Sequence, residues 1–171
     1  MSFDIHYRTC NLGTRTVERE NPFTGDMQTV PVDHGMSTTG RAAVRKLLAS
    51  AGASKPDKYG RYTVKFSDGG TAEVFADELE GPEQCDGLMV SLRGMTEQTV
   101  GFLWELCREG NMAAIPVMEE DILVVVSEKQ RQRVQGRWPD AVAVGSPKEL
   151  DRLLKGGLAA WQAYRKQVAG D

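Results

Sequence analysis

Phe3, Ile5 and Tyr7 alternate with Asp4, His6 and Arg8, the period-two pattern of a strand with one buried face, so the chain opens in a sheet. Residues 14–18 and 27–32 read as two weaker strands. Between them Asn21-Pro22-Phe23-Thr24-Gly25-Asp26 supplies a proline that presets φ and a glycine that tolerates a positive φ, which makes the pair a hairpin with a long tip. Past Asp33-His34-Gly35, Ser37 or Thr38 can cap a helix. Gly40, Val44, Leu47, Leu48 and Ala51 recur on one of its faces, and Gly52 stops it.

A polar connector at 55–58 precedes the clearest hairpin: Tyr62, Val64 and Phe66 alternate with Thr63 and Lys65, and Ser67-Asp68-Gly69-Gly70 turns the chain into 71–76. An acidic loop runs to Gly87, and Leu88, Val90 and Leu92 then mark another strand. Over 96–109 Val100, Leu103, Leu106 and Cys107 share a helical face flanked by Phe102 and Trp104. This arc, about 200° wide at 100° per residue, predicts a deeply buried helix.

Residues 112–118 and 122–127 read as two strands of a central sheet joined by a charged tip at Glu119-Glu120-Asp121, the Val-rich second strand being the most buried. The stretch 128–138 reads as a polar turn before a brief strand at 141–144. Ser146-Pro147-Lys148-Glu149 is a capping box with proline at the first helical position, so a helix must begin there. It extends to about 167, with Leu150, Leu153, Leu154, Leu158, Trp161, Tyr164 and Val168 as its apolar stripe. Gly156-Gly157 interrupts it, which predicts either a kink or the close approach of a neighbour.

The order strands, helix, hairpin, strand, helix, strands, helix predicts an α+β fold. Its sheet of short strands is mostly antiparallel, with about three helices packed on it in layers. At 171 residues, 40% hydrophobic and 26% charged, the chain suits one domain over 1–171, any internal subdivision falling near 52–60. A net charge of −3 removes the general attraction to nucleic acid. Three cysteines, Cys10, Cys85 and Cys107, at unrelated spacings form neither a disulfide framework nor a metal or redox pair, which points to a reducing cytoplasm. Charged residues throughout the first twenty positions leave no place for an apolar signal core, and no apolar run is long enough to span a membrane.

Candidate chemistry is sparse. His6 and Cys10, four apart on a strand, stand about 13 Å from each other, too far to share a metal ion, so neither metal nor cofactor is expected. Asp33 and His34 lie in a loop where a carboxylate neighbour can raise an imidazole pKa, which makes them the catalytic candidates. Asp68, Glu73, Asp77, Glu78, Glu80, Glu83 and Asp86 form an acidic run without an intervening cation. Lys129, Arg131, Arg133 and Arg137, beside Trp138, form a basic cluster able to meet an anion or to neutralise that run.

The leading expectation is a protein-binding module rather than an enzyme, an inhibitor or immunity protein of bacterial type. Asp77, Glu78, Glu80, Glu83 and Asp86 would engage a partner protein with a basic surface. The alternatives are an enzyme or small-molecule binder with a pocket near Asp33 and His34, and a homo-oligomerising accessory domain that uses its last helix.

Overall fold

The alternation of Ile5 and Tyr7 becomes β1 (Phe3–Thr9), the middle strand of a seven-stranded sheet in the computed structural model, which describes residues 3–118 and 122–169. Next come β2 (Arg15–Glu20) and β3 (Met27–Val32), which pair only with each other in a second, two-stranded sheet. There follow α1 (Thr38–Ser50), β4 (Arg61–Lys65), β5 (Thr71–Phe75), a 3₁₀ turn at Asp77–Leu79, β6 (Gly87–Arg93) and α2 (Glu97–Glu109). The chain continues through β7 (Met112–Pro116), β8 (Val124–Val125), α3 (Glu128–Val134), β9 (Val142–Ala143) and α4 (Pro147–Ala169). The large sheet has the order β4-β5-β6-β1-β7-β8-β9.

The architecture is α+β, and it departs from the sequence-based expectation in three respects. The sheet is mixed: its pairings are antiparallel from β4 to β8, but β8 and β9 run parallel, Val124 opposite Val142. Parallel neighbours need a crossover, and the stretch read as a polar turn provides it as α3. There are thus five helices among the described residues, counting the 3₁₀ turn, rather than three. Three local features make α3 helical: Ser127 caps it by accepting from the Gln130 amide, Gln130 and Val134 are buried one turn apart, and Glu128 pairs with Arg131. Strand β8 also differs, being two residues long where the sequence pattern predicts a longer strand. The expected tip at 119–121 lies outside the described residues.

Alternation along the strands separates two cores. Ile5, Tyr7, Met112, Ala114, Val124 and Val142 face one way, into the large core with α1, α2 and α4. Ala113, Leu123, Val125 and Ala141 face the other way, and with Cys10 and Val134 they form a smaller core beneath α3. The β7–β9 half is therefore covered on both faces, which explains the unbroken apolar run at 122–126. The wide arc of α2 is buried as its pattern requires: Val100, Phe102, Leu103, Trp104, Leu106 and Cys107 all lie in the core.

Ser146 caps α4 by accepting from the Glu149 amide, while the Glu149 carboxylate reaches back to the Gly145 amide. Of the expected α4 stripe, Leu150, Leu153 and Leu154 are buried, Tyr164 is half-buried and Val168 is exposed. At Gly157 φ is 75° and ψ is −178°, a conformation close to glycine-only. Arg165 lies 3.3 Å from Glu149 and Arg152 stacks 3.8 Å from the centre of the Tyr164 ring. An unbroken helix would hold residues 149 and 165 about 24 Å apart, so the chain doubles back. No described neighbour lies within 4 Å of a Cβ added at Gly157, so the glycine serves the reversal and not a close approach.

Candidate functional site

The acidic loop is organised by two arginines that its own sequence lacks. Ser37 starts α1 by accepting from the Gly40 amide, and this start places Arg41 and Arg45 one turn apart against residues 78–83. The Arg41 guanidinium donates to the carbonyls of Gly81 at 2.6 Å, Glu83 at 2.9 Å and Leu79 at 3.1 Å, and also to that of Glu78. Arg45 donates to the Leu79 carbonyl at 3.0 Å. A planar fork of donors suits several converging carbonyls, as a lysine ammonium would not. Leu79, fully buried, anchors the same loop to the core.

With the carbonyls turned inward, Asp77, Glu80, Glu83 and Asp86 remain exposed and Glu78 is half-buried. Tyr62 donates to Glu80 at 3.1 Å; burial and that carboxylate together push the phenol up to about 12. The Gln84 amide donates to Asp86 at 2.7 Å and to the Asp33 carbonyl at 3.2 Å. The two acids earlier in the run serve the fold. Asp68 accepts from the Gln98 amide and the Thr96 hydroxyl at the start of α2, and Glu73 pairs with Arg61 and Arg93. The run is therefore less unbalanced than its sequence, because α1 and the neighbouring strands contribute cations.

Asp33 and His34 are not brought together as a catalytic pair. Asp33 accepts from Arg137 at 2.6 and 2.8 Å and from the Gly13 amide at 3.1 Å. The Arg137 hydrogen bonds hold its carboxyl below the ordinary aspartate value, leaving an ionised group already committed to the fold. His34 is exposed and has no hydrogen-bond partner among the described residues. The structure instead joins this segment to the acidic loop: the Met36 amide donates to the Cys85 carbonyl at 2.7 Å, and Gln84 bridges to Asp33. Gly35 permits the approach. Its φ is +69°, and a Cβ there would fall 2.5 Å from the Gln84 side chain. Two candidate regions about fifty residues apart in sequence thus form one surface.

The basic cluster disperses. Arg137 is spent on Asp33 and Arg131 on Glu128, while Lys129 and Arg133 line a separate groove. The three cysteines are free and buried. Burial raises all three, Cys10 to about 12, so none is a thiolate nucleophile near neutrality. Among the described residues no three His, Cys, Asp or Glu side chains converge as metal ligands, and no helix is long and apolar enough to cross a membrane.

The β2–β3 ribbon is more prominent than its sequence pattern shows: Phe23 is 95% exposed at the tip and Met27 is 63% exposed beside it. An exposed aromatic at a turn was visible in the sequence as Pro22-Phe23. Its isolation was not, because strand pairing is not a local property. No protein-family model matches the chain, and no curated protein or solved structure matches it.

Proposed function

We propose that this chain is a protein-binding module of the inhibitor or immunity type, which engages a basic partner surface through loop 77–86 and the adjoining Asp33–Gly35 segment. The observation that supports it best is the Arg41 contact with four loop carbonyls. A loop held in this way presents Asp77, Glu80 and Glu83 in one arrangement before any partner arrives, which reduces the ordering cost of association. Carboxylates so displayed act mainly on the rate of encounter. The commitment of Asp33 to Arg137 argues against the enzymatic alternative. Three free thiols suit a reducing compartment.

Salt is the discriminating variable, because steering weakens as the Debye length shortens to about 8 Å near physiological ionic strength. The protein, immobilised, recovers its partner at low salt, and association rates are then measured across ionic strengths. Asp77→Asn, Glu78→Gln, Glu80→Gln and Glu83→Gln combined should slow association several-fold at low salt and flatten its salt dependence. Equal rates for wild type and variant at every salt concentration would remove the loop from the interface.

A further inference from the structure

We infer that the groove between the C-terminal end of α2 and α3 is a second binding site, for a small multivalent anion of the phosphate class. The groove encloses about 450 Å³, within the range of small-molecule sites, and Arg108, Asn111, Ser127, Lys129, Gln130 and Arg133 contribute its polar lining. No carboxylate lines it.

Three cations from two elements converge there. Lys129 and Arg133 are one turn apart on the seven-residue α3, a like-charge spacing that disfavours an isolated helix. Among the described residues neither has a carboxylate partner, whereas Arg131 is chelated by Glu128. Helix α3 therefore keeps its paired cation on one side and turns its two unpaired ones to the groove. Arg108 is held by Glu105 and Glu109 through Nε and Nη2, which fixes the guanidinium and leaves Nη1 for a ligand.

The neutral Asn111 and Ser127 are set as donors by their bonds to Gln130. Gln130 is buried; its Oε1 accepts from the Val126 amide at 2.9 Å, and its Nε2 donates to the Cys107 carbonyl at 2.9 Å and to Asn111 Oδ1 at 3.4 Å. This network directs the Asn111 oxygen toward Gln130 and leaves its Nδ2 to the groove. Asn111 has a φ of 51°, the one positive φ outside glycine among the described residues, imposed by the end of α2. Ser127 Oγ accepts from the Gln130 amide, so its own proton is free to donate. The polar groups of the lining are N–H and O–H donors with net positive charge, which recognise oxyanions and not cations.

The location agrees with this chemistry. The groove opens at the carboxyl end of β8 in the parallel β8–α3–β9 unit, the end at which such units receive ligands. Glu105 and Glu109 pair with the lining residue Arg108, and Glu128 stands between the lining residues Ser127 and Lys129 in the chain; carboxylates this near oppose an extended polyanion such as nucleic acid and favour a compact one. This site is separate from loop 77–86 and does not depend on the proposed protein partner.

Calorimetric titration at constant ionic strength tests it, with inorganic phosphate, pyrophosphate and glycerol 3-phosphate as probes and chloride as the reference. Wild type should bind at least one probe saturably, and the phosphomonoester arm separates a phosphorylated metabolite from a free anion. Lys129→Gln with Arg133→Gln should weaken that binding at least tenfold. Lys129→Arg with Arg133→Lys should restore most of it, and Arg131→Gln, which removes a cation outside the groove, should leave it unchanged. Phosphate-dependent shifts of the Ser127 and Asn111 amide resonances provide a second readout in the wild type. Absence of saturable binding to every probe, equal loss in Arg131→Gln, or tighter binding of a short oligonucleotide than of pyrophosphate would overturn the assignment.

Discussion

Arg137 holds Asp33 across 104 residues of chain with two hydrogen bonds, of 2.6 and 2.8 Å. One residue is at the foot of the β2–β3 ribbon and the other follows α3, so the pair ties the ribbon to the far half of the sheet. The same arginine reaches the Gly13 carbonyl at 3.3 Å, and both Arg137 and Arg8 lie 5.9 Å from the centre of the Trp138 ring. A bidentate pair whose side chains are only 14% and 23% exposed is a structural fastening more than a surface ornament.

Arg137→Ala should therefore destabilise the protein by about 1.5–3 kcal/mol near neutral pH, the usual range for hydrogen bonds to charged groups. The pH dependence has a definite sign. Asp33 titrates below its ordinary 3.8 in the folded protein, so its contribution is complete above about pH 4 and is lost as the pH falls through the folded-state value. Urea unfolding of wild type and variant should give curves that converge in acid. A constant gap from pH 7 to pH 2 would contradict this.

Arg41→Ala should free loop 77–86. Loss of the guanidinium leaves the carbonyls of Glu78, Gly81 and Glu83 without this donor, while that of Leu79 keeps Arg45, at a cost of about 1–3 kcal/mol. Hydrogen exchange of the loop amides should accelerate on the order of tenfold, while α2 stays protected. Arg41→Lys should behave more like the alanine variant than like wild type, since one ammonium cannot span the four acceptors.

Leu103 is fully buried in the large core, and its carbonyl accepts from the Tyr7 hydroxyl at 3.4 Å. Leu103→Ala should cost about 2–5 kcal/mol, through lost transfer energy and the cavity left behind. Thermal or chemical denaturation measures it, and a midpoint equal to that of wild type would place α2 outside the core.

Gly157→Ala should oppose the reversal in α4, because an L-residue at φ 75° and ψ −178° carries strain of about 1–3 kcal/mol. Spin labels at Lys148 and Lys166 report it directly. Wild type should give a short distance, and the variant should shift toward the roughly 27 Å of an unbroken helix.

Strands β1 to β7, a cap for α1 at Ser37 or Thr38, the buried arc of α2 and the start of α4 at Ser146 were all legible in the chain itself. Each depends on a period, a turn or a cap within a few residues, and such signals report which face is buried without any knowledge of its partner. Tertiary structure decided the rest. Helix α3 has just two buried residues, Gln130 and Val134, too few to register as a period, and the parallel β8–β9 pairing involves two residues on each strand. Loop 77–86 was legible as an acidic run, but its cations arrive from α1, 34 to 42 residues away, and they bind backbone carbonyls, which every residue carries and no sequence pattern marks. A separation of 104 residues hid the commitment of Asp33 to Arg137. Composition sets which charges exist, and only the folded chain sets which of them are already used.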